Sequence, residues 1–177
     1  MKPQVLFALL LIGGCARIGE SGSAHKILAA PAADRLCFSP DPWKKTCAEM
    51  AAFRRAAGGG VAETDERLLL ANPAIVMRAS LGEKLEHGAF CGFVSEDEAS
   101  AGAFTIDGRP IAAANLAAYQ DEVAPSLGLL VGHKTCVAFD PRADGFRAST
   151  RVDGVKIDHL SQRVIWVRPE DGYSVGA

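Results

Sequence analysis

Four cysteines spread along the body of this chain, Cys37, Cys47, Cys91 and Cys136, constrain its fold more than any other residues. An even set in an exported protein is what a two-disulfide framework requires. Three pairings are open to four cysteines. Cys37 with Cys47 and Cys91 with Cys136 is the favoured one, because the first two flank an expected helix start and the other two stand in strand-like segments. Each bridge adds about 2–4 kcal/mol, mostly by restricting the unfolded chain. A metal site is not expected of them, since no close C-x-x-C pair occurs.

The fifth cysteine supplies the export argument. Lys2, the apolar run Val5 to Ile12 and then Gly13-Gly14-Cys15 give the three-part layout of a signal peptide. As a helix, that run reaches about 12 Å, against about 30 Å of hydrocarbon, so it does not span a bilayer. Leu11-Ile12-Gly13-Gly14-Cys15 resembles the lipobox of bacterial lipoprotein precursors. The resemblance implies that Cys15 carries a diacylglycerol and that the chain is cut just before it. It also implies an outer-membrane lipoprotein facing the periplasm, because Ala16 rather than aspartate follows the cysteine. The alternative is cleavage after Ala24, which releases a soluble periplasmic or secreted protein.

These readings divide the chain into a signal peptide (1–14), a lipid-anchored flexible tether (15–34) and a globular domain (35–177). The tether is rich in Gly, Ser, Ala and Pro and would span roughly 25 Å. Of 19 basic residues Lys2 leaves with the signal, so 18 stand against 21 acidic ones, a net charge of −3. The basic residues are scattered and not interleaved with aromatics, so no nucleic-acid partner is expected.

Asp41-Pro42, the apolar positions Trp43, Cys47, Met50 and Phe53, and the stop at Gly58-Gly59-Gly60 predict a helix from Trp43 to Ala57. Strands are predicted at 67–70, 75–78 and 89–94, a short helix after the capping-box pattern Ser95 to Glu98, and a second main helix over Ala112 to Glu122. Further strands follow at 129–131, 135–139, 146–152 and 163–167, with Asp-Gly turns at 107–108, 144–145, 153–154 and 171–172. The expected fold is therefore a single α+β domain, mainly antiparallel sheet with two main helices, stabilised by disulfides.

No catalytic residue and no cofactor is assigned. The triple glycine lacks a following Lys-Ser/Thr, and Asp140 to Gly145 fails as a calcium loop because Arg142 occupies a ligand position. Glu63 with Asp65 is one of many carboxylate pairs that 21 acids offer. Aromatics including Phe90, Phe93, Phe139, Phe146 and Trp166 are read as core before pocket lining. The expected function is non-catalytic: a binding or structural module at the membrane, whose partner is an envelope protein or a small apolar ligand. The alternative is a periplasmic hydrolase built on His133 or His159 with nearby carboxylates.

Overall fold

Alternating side chains in eight strands close this chain into a barrel. The computed structural model describes residues 22–97, 101–112, 114–120, 128 and 130–177, so Cys15 and Glu98 lie outside the described residues. A short helix α1 (Gly22–Leu28) leads into β1 (Arg35–Phe38), β2 (Thr46–Cys47), β3 (Glu49–Arg55), β4 (Val61–Ala71), β5 (Ala74–Glu86) and β6 (Ala89–Phe93). The hairpin β7 (Ala103–Ile106) and β8 (Arg109–Pro110) and a helical segment at 114–120 follow. Then come β9 (Lys134–Arg142), β10 (Gly145–Val152), β11 (Val155–Lys156), β12 (Gln162–Val167) and β13 (Ser174–Val175).

Strands β1, β3, β4, β5, β6, β9, β10 and β12 each pair antiparallel with the next, and β12 returns to β1, so the sheet has no free edge around the ring. This corrects the α+β expectation: the architecture is a closed, up-and-down antiparallel barrel with short helices. The predicted helix from Trp43 to Ala57 is instead a turn, β2 and β3. Asp41 does organise the turn, since its carboxylate accepts the Trp43 and Lys44 backbone N–H groups, but Lys45 takes φ 57° and stops any helix. Beyond it, Glu49, Ala51 and Phe53 face inward and Met50, Ala52 and Arg54 outward. That period of two competes with the three- and four-residue spacing, and main-chain pairing to both β1 and β4 decides for the strand. The second predicted helix survives over 114–120.

Residues Gly22–Leu28, which fall in the segment read as a tether, form α1 and bury Ser23, Ala24 and Ile27. Ala24 and Ile27 join Leu36, Phe53, Val61 and Phe146 in the principal core, so α1 plugs one end of the barrel. At the centre lies Phe139, whose ring meets Phe38, Phe53, Phe90 and Phe146 edge-on at 5.9–6.0 Å. Each such pair contributes about 0.5–1.5 kcal/mol beyond its burial. Outward positions carry Glu66, Arg78, Lys84, Arg147 and Arg163, unlike the apolar band of a barrel that faces lipid.

Both favoured disulfides are present. Cys37–Cys47 ties β1 to β2, and Cys91–Cys136 joins directly opposed residues of β6 and β9. The second bridge spans the base of the long insertion between these two strands. Inside that insertion, Phe104, Leu116 and Tyr119 pack on Ile75, Met77 and Ala79 of β5 as a second core.

Asp107-Gly108 and Asp153-Gly154 adopt the paired left-handed conformations of two-residue hairpin turns. Gly145, at the β9–β10 turn, is needed for a different reason: a Cβ there would collide with the Val164 carbonyl oxygen on β12. Gly145→Ala is therefore expected to destabilise the fold by about 2 kcal/mol or more. Gly154→Ala, whose Cβ meets open space, should cost only about 1 kcal/mol. Denaturant unfolding of the two variants checks the order.

Candidate functional site

The inner face of the barrel changes character along its axis. Toward α1 it is aromatic and aliphatic. Further along β3, β4 and β5 it carries five ionisable side chains that strand alternation brings together: Glu49, then Glu63, Asp65 and Arg67, then Glu83. Glu49, Glu63 and Asp65 are buried, Asp65 to 2% exposure.

One cation serves four carboxyls. Arg67 Nη2 lies 2.7 Å from Glu49 Oε2, a short charge-assisted contact. Its Nε stands 3.5 Å from Asp65 Oδ2, outside hydrogen-bond geometry, and is left unpaired. The Glu49 carboxylate beside it holds the guanidinium above its ordinary range. Burial raises the other three carboxyls instead. Burial, with Glu83, Asp65 and Glu49 nearby, pushes Glu63 well above the usual range. Burial and Glu49 do the same to Asp65. Burial pushes Glu83 up to about 7, although Glu63 donates a hydrogen bond to it. Asp65 Oδ1 and Glu83 Oε2 have no partner.

These groups line a cavity of about 80 Å³ that opens to solvent on one side, with Phe38, Phe53, Met77, Leu81 and Val137 as apolar walls. Gly92 makes room for it: a Cβ there would sit 3.3 Å from Glu83 Cγ and 3.2 Å from the Gly82 carbonyl oxygen. Leu130 and Val94, from the two ends of the β6–β9 insertion, stand at the wall, and Val131 bridges Val94. An adjoining hollow shares Glu49, Arg67 and Thr135 and extends to Thr150, His159 and Gln162.

The structure does not bring His133 and His159 together. His133 Nδ1 lies 2.7 Å from Asp153 Oδ2, with both side chains about half exposed, and neither residue lines the cavity. Asp153 also accepts the Lys134 backbone N–H, so it fastens the start of β9 to the β10–β11 turn. The His133 hydrogen bond and that N–H hold Asp153 below the usual carboxylate range. Cys136, the thiol nearest His133 in sequence, is consumed by its disulfide. His159 is exposed and lines the adjoining hollow, not the acid-lined cavity. Among the described residues no cluster of three or more His, Cys, Asp or Glu has the arrangement of a metal site. Of the aromatics, Phe90, Phe104, Phe139 and Phe146 are core, while Trp43 and Phe93 are exposed.

The fold and site thus define an up-and-down barrel with one plugged end and an acid-lined interior. No family model matches the chain, and no curated protein or solved structure matches it.

What sequence reading missed is the acidic wall itself. Its signal is the alternation Val61-x-Glu63-x-Asp65-x-Arg67, which places three charges on one strand face. The other face carries Ala62, Thr64 and Glu66, no more apolar, so nothing in the sequence says which side is inward.

A carboxyl with a raised native pKa stabilises the fold at low pH. For Glu83 that contribution is full below about 4.5 and is lost as pH rises through about 7. Glu83→Gln is expected to shrink the fall in Tm between about pH 5 and pH 8 and to raise Tm at pH 8, by roughly 2–4 °C for each kcal/mol recovered. Thermal unfolding across that range measures it.

Proposed function

We propose that this protein is an exported barrel, held at the cell envelope by its N-terminus, that binds a small amphipathic molecule in its interior without transforming it. The observation that carries the reading is the half-filled barrel. An eight-stranded barrel is wide enough either to be filled by side chains or to hold one small ligand. Here one half is filled and the other is an open cavity with apolar walls and a few convergent polar groups, the usual make-up of a ligand site.

The two disulfides fit an oxidising compartment. The docking of α1 favours the anchor at Cys15 over release at Ala24. Cleavage after Ala24 would split α1 and remove two of its three buried residues, Ser23 and Ala24, whereas cleavage before Cys15 leaves the plug whole. An anchor there leaves the segment before Gly22 as the link between membrane and barrel.

Two measurements test this. The neutral fluorophore N-phenyl-1-naphthylamine should bind saturably, one per chain, with enhanced emission, and Ala79→Phe, which fills the cavity, should weaken it at least about fivefold. A folded chain that binds none of it excludes the interior-binding reading. Separately, the intact mass of protein from its host's membranes should show a lipid-sized increment on a chain starting at Cys15. A chain starting at His25 would exclude the anchor.

A further inference from the structure

We infer that the molecule held in the barrel is an organic cation, an apolar chain or ring bearing a primary or secondary ammonium, seated with its nitrogen against Asp65 and Glu83. This rests on the interior-binding reading and goes further by naming the ligand's chemistry. Three independent features converge on it.

First, the charge balance of the wall is unfinished. Glu49 is matched by Arg67 at 2.7 Å, whereas Asp65 approaches the same guanidinium only at 3.5 Å and Glu63 and Glu83 hydrogen-bond to each other. A buried carboxylate without a counter-charge is costly, and a second cation is what this wall lacks.

Second, there are acceptors with nothing to accept. Asp65 is 2% exposed, lines the cavity and leaves Oδ1 unpaired; Glu83, which lines the same cavity, leaves Oε2 unpaired. An ammonium offers two or three donors and no acceptor, the complement of this pair. A carboxylic acid or phosphate offers the wrong sign, and an alcohol offers one weaker donor.

Third, the rest of the cavity is apolar. Phe53, Met77, Leu81 and Val137 surround the space beyond the carboxyls, so the site suits a cation with a hydrocarbon body and not a hydrated ion. Gly92 keeps the Glu83 side chain free to meet it.

A bound cation favours the ionised form of Glu83, whose carboxyl burial pushes up to about 7. Binding therefore releases protons and strengthens as pH rises. The charged and titratable groups facing the nitrogen are Glu49 from β3, Glu63, Asp65 and Arg67 from β4 and Glu83 from β5. Gly92 of β6 and Thr135 and Val137 of β9 are neutral, and His159 lines the adjoining hollow.

The test uses chain-matched probes that displace N-phenyl-1-naphthylamine from the full mature protein: octylamine, octan-1-ol and octanoate. At about pH 8 octylamine should compete at a concentration at least about tenfold below octanol, with octanoate weakest. Asp65→Asn and Glu83→Gln should each cut the preference for amine over alcohol to about threefold or less, read as the ratio of the two competitors on the same variant so that any change in fluorophore affinity cancels. In the wild-type protein, octylamine should bind at least about fivefold more weakly at pH 5.5 than at pH 8, with octanol unmoved; this arm needs no variant to fold. Fluorophore binding with equal competition by amine and alcohol overturns the cation and leaves the binding barrel standing. Failure of the fluorophore to bind overturns the binding barrel itself.

Discussion

Pairing of β1 with β12 is the contact on which the rest depends. It joins the first strand of the ring to the last, Leu36 opposite Trp166 and Phe38 opposite Val164, and turns an open meander into an enclosure. Once the ring closes, every second side chain is committed to the interior, and main-chain groups find their partners within the wall. Both the aromatic core and the acidic cavity are consequences of that closure. The small sheet of β2 and β13 lies outside the ring.

The two halves of the interior carry opposite energetics. Around Phe139, packing is dense and the α1 plug excludes water. Along β4, the chain places Glu63, Asp65 and Arg67 at inward positions where valine or leucine would stabilise more. Aromatic contacts and disulfides offset that local cost. A wall that forgoes stability in favour of uncompensated polar groups is the pattern expected where a fold serves a task. The histidines, which chemical intuition picks out first, lie outside the acid-lined cavity: His133 is a strut to Asp153 and His159 lines the adjoining hollow.

Much of the β structure was legible in the sequence. Predicted strands at 135–139, 146–152 and 163–167 coincide with β9, β10 and β12, because β-branched and aromatic residues alternate there between turn signals. The disulfide pairing was legible for a reason that only partly holds: Cys91 and Cys136 do stand in strands, but Cys37 and Cys47 flank a turn and not a helix. The stretch from Trp43 to Ala57 misled because its apolar residues satisfy both periods, and only non-local pairing distinguishes them. Nor is the acidic site local. It needs Glu49, Asp65 and Glu83 from three strands in register, and each alone reads as an ordinary surface acid.

The Cys91–Cys136 bridge has a mechanical consequence. It fastens the two strands at the point where the β6–β9 insertion leaves the ring. That insertion, which places Val94 and Leu130 at the cavity wall, is therefore rooted on a covalent link. The seam beneath it stays joined even where the main-chain hydrogen bonds beside it open. In a reducing milieu the same seam would rest on main-chain hydrogen bonds alone.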